Sequence, residues 1–196
     1  MTRKGELPDK LQQCVFGLEQ LLAQLDASDH RAALKAAAPL LAQLTAEDDW
    51  LPLRYAQADP DRYQQYLLYL DPLQRFCIVS FVWGPGQSTP IHDHTVWGLI
   101  SVLRGAERCQ RFRPDPGSDR LQGQDSYLLI PGDVDCVSPS PCVSCGDIHQ
   151  VSNALADGVS VSIHIYGGDI GTITRNCYQD GRCQPFVSGY SNEDLS

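Results

Sequence analysis

From about Gln64 onward, short runs rich in β-branched and aromatic residues are separated by turn-forming pairs such as Asp71-Pro72 and Pro131-Gly132. No helical pattern lies between these runs. Many short strands in succession predict a small barrel or a double-sheet jelly roll, whose interior can hold a ligand-sized site. The predicted strands cover 63–70, 75–83, 90–103, 107–113, 126–130, 134–137, 147–151, 159–166 and 173–178.

The start of the chain has a different pattern. Apolar residues recur at three- and four-residue steps from Leu11 to Leu25, and the segment 32–44 is rich in alanine and leucine. Both segments predict amphipathic helices. We therefore expect one domain over residues 1–196, mainly β, with a helical N-terminal segment over about 1–58 and a β-barrel over about 60–185.

The charge of the chain limits its partners. Its formal net charge is −9 and its basic residues form no run, which argues against nucleic acid and anionic membranes as partners. No stretch reaches the roughly twenty apolar residues of a membrane span, and the charged first ten residues lack the apolar region of a signal peptide. We expect a cytoplasmic protein with a small-molecule partner and leave its oligomeric state open.

Three histidines form the pattern with the most specific chemistry. His92 and His94 are separated by one residue on a predicted strand, so both side chains point to one face of it. His149 lies on a later strand and can complete a triangle of imidazoles. A lone histidine is more often incidental, as we expect His30 to be on a helix surface. The combination predicts a metal site, and three facial imidazoles leave positions open for substrate.

Glycines and histidines at fixed spacings resemble the two motifs of the cupin superfamily. The matching residues are Gly86, His92, His94 and Gly105 in the first motif, G-x5-H-x-H-x3-4-E-x6-G, and Gly146, His149 and Asn153 in the second, G-x2-H-x3-N. Gly98 stands where the first motif has a glutamate ligand. The resemblance implies a cupin jelly-roll barrel with three histidine ligands and no carboxylate ligand.

Ser162, His164 and Tyr166 alternate with isoleucines on a predicted strand, so the three polar side chains share one face. A solvated strand face is the ordinary explanation of such alternation. Together with the three histidines, the pattern resembles the hydrogen-bonded relay of the thiol dioxygenases, the family of cysteine dioxygenase and 3-mercaptopropionate dioxygenase. The resemblance implies one Fe(2+) per chain, held by the three histidines, with the tyrosine hydroxyl facing the metal.

Two further residues resemble those of the bacterial mercaptopropionate branch. Arg175 lies nine residues after the relay tyrosine, where the resemblance implies an arginine that holds the substrate carboxylate with its planar fork. Gln65 stands where the animal enzymes have an arginine, although Gln64 would replace it if the register shifted by one residue. The animal enzymes also cross-link the tyrosine to a cysteine after the histidine pair. Segment 94–98 has no cysteine, so we expect Tyr166 to be unmodified.

These residues predict an iron(II)-dependent thiol dioxygenase that converts a small thiol carboxylate and O2 to a sulfinate. The expected substrate is 3-mercaptopropionate, L-cysteine or both, and the pattern of Gln65 and Arg175 favours 3-mercaptopropionate. Two other functions also stay open: a cupin isomerase or dioxygenase that uses another metal, and a non-catalytic cupin that binds a small acid. The ligands alone do not identify the metal.

The remaining cysteine and tryptophan patterns are interpreted as structural. Cys142 and Cys145 have the spacing of half a zinc ribbon or of a redox pair, but no second pair accompanies them, and their role is left open. Trp83 and Trp97 flank the histidine pair. We expect both to pack in the barrel, with Trp97 the candidate for a wall of the pocket.

Overall fold

The computed structural model describes residues 7–118, 120–141, 143–179 and 181–192. Two helices, α1 (Asp9–Leu22) and α2 (His30–Leu44), come first and are followed by a short 3-10 helix at Leu53–Tyr55. The strands of the described residues are β1 (Gln64–Leu70), β2 (Cys77–Trp83), β3 (Ile91–His92), β4 (Gly98–Arg104), β5 (Glu107–Pro114), β6 (Leu121–Leu129), β7 (Val134–Val137), β8 (His149–Asn153), β9 (Ser160–Tyr166), β10 (Arg175–Gln179) and β11 (Arg182–Phe186).

These strands form two antiparallel sheets. One sheet has five strands in the order β1-β2-β9-β4-β7, and the other has six strands in the order β11-β10-β3-β8-β5-β6. Neighbours in space are often distant in sequence, as for β2 with β9 and β3 with β10. The structure thus confirms the predicted mainly β fold with its helical N-terminal segment and two-sheet jelly-roll architecture.

The two helices cover one face of the five-stranded sheet. Leu18 of α1 and Leu41 of α2 are fully buried and belong to one core cluster with Ile163 and Ile165 of β9. Burying each such side chain stabilises the fold by about 1.5–3 kcal/mol. The isoleucine face of β9 is therefore closed off by the helices, and the polar face must look the other way. Within the described residues, no helix is long and apolar enough to cross a membrane.

The opposite face of the five-stranded sheet lines the space between the sheets. Directly paired residues of antiparallel strands point to the same side of a sheet. On β9, His164 is paired with Val79 of β2 and with Ile100 of β4. Both partners belong to an apolar cluster that also contains Tyr166. The polar residues of β9 thus point into an enclosed interior, and the explanation by a solvated strand face is excluded.

The predicted strand 90–103 is in fact two strands, β3 and β4. The segment 93–97 between them leaves the sheet, and Thr95 has a φ of 59°. That left-handed conformation is uncommon for a β-branched residue and interrupts an extended chain. The break turns the chain from the six-stranded sheet to the five-stranded sheet, directly after the histidine pair.

Two other strand assignments also differ from the prediction. β6 begins at Leu121 rather than at residue 126, and β11 was not predicted. Most of β6 is exposed, so its pairing with β5 leaves no apolar alternation in the sequence. β11 contains Pro185 and lies at the edge of its sheet, the position where proline is tolerated in a strand because its missing N–H faces solvent.

Candidate metal centre

Three histidines meet on the interior face of the six-stranded sheet. His92 on β3 pairs directly with His149 on β8, and His94 lies just beyond β3. The ring centroids are 4.8 Å apart for His92 and His94, 4.8 Å for His92 and His149, and 4.7 Å for His94 and His149. All three rings are buried, and their candidate ligand atoms lie within 4.8 Å of one another. The structure therefore brings together the three predicted ligands in a nearly equilateral group that could hold one metal ion.

Each imidazole is held through its Nδ1 atom. His92 Nδ1 contacts the Pro90 carbonyl oxygen at 3.0 Å, and His149 Nδ1 contacts Cys109 Sγ at 3.5 Å. His94 Nδ1 contacts both the carbonyl oxygen (3.1 Å) and Oδ1 (3.2 Å) of Asp147. Contacts of this kind fix the tautomer and leave Nε2 to bind the metal. The Nε2 atom of His94 is buried and has no hydrogen-bond partner among the described residues. Because an unpaired buried nitrogen is unfavourable, this atom fits a site that binds a metal ion.

Two imidazoles at this centre, His92 and His149, are neutral. Burial lowers the pKa of both well below the usual histidine value, and the neighbouring His94 lowers both further. Metals bind the neutral form, so no proton has to be displaced from these two rings at neutral pH. Three neutral nitrogen ligands suit iron, zinc, copper and nickel. The donor set thus fits a divalent transition metal without selecting one.

Two aspartates hold the segment that carries the histidines. Asp147 accepts hydrogen bonds from the backbone N–H groups of His94 at 3.0 Å and Thr95 at 3.1 Å. Asp93 accepts from the backbone and side-chain N–H groups of Asn176 on β10, at 2.8 and 2.9 Å. The histidine segment is therefore fixed on both sides although it leaves the sheet. The sequence analysis did not single out either aspartate. Their positions inside the two histidine motifs could have identified them.

Ser162, His164 and Tyr166 form a buried hydrogen-bonded row. Ser162 Oγ lies 2.8 Å from His164 Nε2, and His164 Nδ1 lies 2.8 Å from Tyr166 Oη. The tyrosine ring stacks on the His94 ring at 5.6 Å between centroids, so the row ends beside the metal centre. Burial lowers the pKa of His164 to about 3 and raises the pKa of Tyr166. Both groups are neutral at physiological pH, and the row can position a proton at the tyrosine hydroxyl.

Gly98 makes room for the relay tyrosine at the position where the cupin motif has its glutamate. A Cβ atom on Gly98 would lie 2.7 Å from Cδ1 of Tyr166 and 2.9 Å from Cγ2 of Val137. These distances are shorter than real Cβ contacts, so any side chain at this position would push the tyrosine ring aside. The missing carboxylate ligand and the position of the tyrosine have one structural cause.

Arg175 and Gln65 meet at Ser188. Arg175 Nη2 donates to the Ser188 hydroxyl at 2.6 Å, and Gln65 Nε2 donates to the same oxygen at 3.2 Å. Gln65 is paired with Phe81, which is paired with Ser162, so the Gln65 side chain faces the barrel interior. Its neighbour at position 64 belongs to the opposite face. The structure thus places the two predicted substrate-binding residues next to each other.

Arg175 has no carboxylate partner among the described residues, although its side chain is only 4% exposed. Its guanidinium lies over the Phe186 ring, 4.6 Å from the centroid, and its Nε atom has no hydrogen-bond partner. Arg111, which is paired with His149 in the sheet, has an ion pair with Asp135 at 2.6 Å. Burial without an anion is unfavourable for a cation and lowers the pKa of Arg175. The surroundings of Arg175 therefore fit an anionic ligand.

A cavity of about 350 Å³ opens beside Gln65 and Ser188. It is also lined by Arg62, Tyr63 and Tyr190, among others, whereas Arg175 lies behind Ser188 and is not one of the lining residues. Its volume fits a small molecule. A larger cavity of about 1160 Å³ is lined by Ile91 and Ile148, each of which precedes a histidine ligand in the sequence. Alternate strand residues point to opposite faces, so this second cavity lies on the outer side of the six-stranded sheet.

The tryptophans and cysteines have mainly structural places. Trp97 is buried in the core cluster beneath the helices, so it packs and does not form a wall of the cavity. Trp83 Nε1 donates to Ser162 Oγ at 3.5 Å, a contact with the relay that was not predicted. Cys142 lies outside the described residues. Cys145 instead has its thiol beside that of Cys136.

The chain is similar to one protein family and to several solved structures. The profile of a family described as cysteine dioxygenase type I matches residues 14–178. The chain is similar to a protein with a double-stranded β-helix domain from Klebsiella pneumoniae, at 14% identity over 62% of this chain and 91% of that chain, with a TM-score of 0.44. It is also similar to a cupin superfamily protein from Desulfitobacterium hafniense, at 19% identity over 63% of this chain and 94% of that chain, with a TM-score of 0.44.

Proposed function

The chain belongs to the cysteine dioxygenase type I family, and from this premise we propose that it is an iron(II)-dependent thiol dioxygenase that oxidises a small thiol carboxylate to its sulfinate. Both atoms of O2 are added to the substrate sulfur. The proposal is supported above all by one observation: the row from Ser162 to Tyr166 ends beside a cluster of three imidazoles that contains no carboxylate. His92, His94 and His149 are the proposed ligands of one Fe(2+) per chain.

The three histidine ligands determine the net charge of the metal centre. Bound iron(II) would lower the thiol pKa, so that the substrate binds as a thiolate, and would supply the redox chemistry for O2. The three neutral imidazoles leave the dication its full charge, so two anionic donors can be accepted. A carboxylate ligand at position 98 would lower the net charge of the centre by one, which would leave room for one anionic donor fewer. It would also displace Tyr166.

Tyr166 is the proposed catalytic residue of the row. Its hydroxyl, oriented by His164 and through it by Ser162, would donate a hydrogen bond to the reacting atoms. Because burial raises the pKa of Tyr166, the hydroxyl keeps its proton at neutral pH and remains a donor. A positioned donor of this kind supports the charge that develops on oxygen during the reaction.

We propose 3-mercaptopropionate as the preferred substrate, ahead of L-cysteine. Arg175 would bind the carboxylate with its planar fork, and Gln65 would add a neutral donor beside it. None of the described residues that line the adjoining cavity is an aspartate or glutamate. An ammonium group on the substrate would find no carboxylate partner there, which favours a thiol acid that lacks the amine.

The experiment that tests this function is O2 uptake by the iron-loaded protein with 3-mercaptopropionate, L-cysteine and cysteamine, with the sulfinate products quantified. We expect sulfinate in proportion to O2 consumed and the highest kcat/KM for 3-mercaptopropionate. A clear preference for L-cysteine would overturn the substrate assignment. No uptake with any thiol despite bound iron would favour an acid-binding cupin, and metal analysis of protein purified without added metal would reveal a centre for another ion.

Replacing Arg175 with lysine is expected to weaken substrate binding selectively. The variant keeps a positive charge but loses the planar fork and the bond to Ser188, so kcat/KM for 3-mercaptopropionate should fall about 10- to 100-fold. Iron content should be unchanged. Arg113→Lys on the exposed part of β5 is the matched control. Wild-type kcat/KM in the Arg175 variant, or an equal loss in the control, would remove Arg175 from the substrate site.

A further inference from the structure

Glu107 is a fully buried carboxyl group at the far end of the relay. It begins β5, where it is paired with Asn153 of β8 and Leu129 of β6, and its side chain is 0% exposed. Its Oε1 accepts a hydrogen bond from Ser160 Oγ at 3.2 Å. Its Oε2 is buried and has no hydrogen-bond partner among the described residues. An unpaired carboxylate oxygen in the interior is unfavourable, whereas a protonated one can act as a donor.

The groups that face this carboxyl are neutral. They are Ser162 and Ser160 of β9 and the indole N–H of Trp83 on β2. From β8, the Asn153 amide donates to backbone carbonyls, and β6 presents Leu129. The titratable groups of the row itself, His164 and Tyr166, are kept neutral by burial, and the Cys109 thiol on the same face of β5 is kept neutral in the same way.

The basic residues near β5 do not compensate the Glu107 charge. Arg104 directs its guanidinium to Asp48, at 2.6 Å, and Arg108 is exposed. Burial without a cation raises the pKa of Glu107 to about 7, although the neighbouring hydroxyl groups of Ser162 and Ser160 act in the opposite direction. The carboxyl group can therefore exist in either protonation state near physiological pH.

We propose that Glu107 is a positioning residue that sets the direction of the hydrogen bonds along Ser162, His164 and Tyr166. When Glu107 is protonated, its O–H donates to Ser162 Oγ and the Ser162 O–H donates to His164 Nε2. The histidine then carries its proton on Nδ1 and donates it to Tyr166 Oη. The tyrosine O–H is left to donate toward the metal centre, the orientation that the proposed function requires.

When Glu107 loses its proton to solvent, every bond in the row reverses. Ser162 donates to the carboxylate, His164 carries its proton on Nε2 and donates to Ser162, and the Tyr166 O–H donates to His164 Nδ1. Serine, histidine and tyrosine each keep one proton, so only one proton leaves the row. In this state the tyrosine proton points away from the metal centre. The orientation of the tyrosine thus depends on a group at the other end of the relay.

The replacement Glu107→Gln tests this directly. The neutral amide can donate to Ser162 at every pH, as the protonated carboxyl does. In the wild-type protein loaded with zinc, which needs no turnover, the ring nitrogen NMR shifts of His164 should show a tautomer change with a midpoint at about pH 7. In the variant the Nδ1–H tautomer should persist. Under the proposed function, kcat of the iron enzyme should fall about tenfold or more above this midpoint in the wild type only.

Thermal unfolding gives a second signal that does not depend on activity. A raised carboxyl pKa means that the folded chain keeps a proton that the unfolded chain releases between pH 4.5 and about 7, so stability is lost as pH rises across this window. The Tm of the wild type should fall relative to that of Glu107→Gln over the same window. The depressed pKa of His164 is common to both proteins and cancels in the comparison.

Ser160→Ala serves as the matched variant, since it removes a neighbouring hydroxyl without touching the row. The bond from Ser160 stabilises the carboxylate, so its loss should move the tautomer change to higher pH. A single His164 tautomer over about pH 6 to 9 in the wild type, or an unchanged transition in Glu107→Gln or Ser160→Ala, would overturn the proposal. A tautomer change without thiol oxidation would support it and contradict the proposed function alone.

Discussion

Replacing His94 with alanine is expected to abolish metal binding and turnover together. The ring of His94 is fixed by Asp147 and directs its unpaired Nε2 into the centre. With only two imidazoles left, iron bound per chain should fall below about a tenth of the wild-type value. Loss of a residue that merely hydrogen-bonds to a metal ligand already lowers metal affinity about 10- to 100-fold, and loss of a ligand should lower it at least as much. The metal content of the purified variant and its O2 uptake measure both effects.

The control for this change is another histidine. His30 begins α2, and its Nδ1 lies 3.0 Å from Ser138 Oγ, so His30→Ala should retain full iron content. The metal-free His94 variant should also remain folded, because the change removes a buried nitrogen that had no partner. Wild-type iron content in His94→Ala would mean that the three histidines are not the metal ligands.

The second large effect is expected for Tyr166→Phe, with kcat reduced about 100-fold and iron content unchanged. Phenylalanine keeps the ring that stacks on His94 but loses the hydroxyl that we propose as the donor to the reacting atoms. The change also leaves His164 Nδ1 without its partner, which should cost about 1–3 kcal/mol of stability. Single-turnover O2 consumption with bound substrate separates this loss from a loss of binding.

Tyr66→Phe provides the comparison for that experiment. Tyr66 lies on β1 and donates its hydroxyl hydrogen bond to the Gln57 carbonyl at 2.9 Å, within the cluster beneath the helices. Its replacement removes a tyrosine hydroxyl away from the metal centre and should leave kcat intact. If Tyr166→Phe turned over substrate as fast as Tyr66→Phe, the relay would have no part in the chemistry.

Local periodicity explains which parts of this chain could be predicted. The alternation from Ser162 to Tyr166 and the spacing of His92 and His94 follow from the two-residue repeat of an extended chain. The same rule failed within 90–103, because the alternation continues through Trp97 while the backbone turns at Thr95. A left-handed turn without glycine leaves no mark in a hydrophobic pattern.

The positions of Glu107 and Ser188 could not be predicted for a different reason. Both depend on which strands become neighbours. Glu107 lies against Ser160 of β9, next to the row, because β5 lies beside β8 across from β9. Ser188 joins Arg175 to Gln65 because β11 folds back along β10. In the sequence each is an isolated polar residue. Only the register between distant strands gives them a role.

The crowding at Gly98 limits how this centre can be redesigned. A side chain at this position and the ring of Tyr166 compete for one volume, so a glutamate introduced at position 98 would displace the tyrosine. A carboxylate ligand and the stacked tyrosine therefore cannot be combined in this chain by a single substitution. Building a fourth ligand here requires a second, compensating change at position 166.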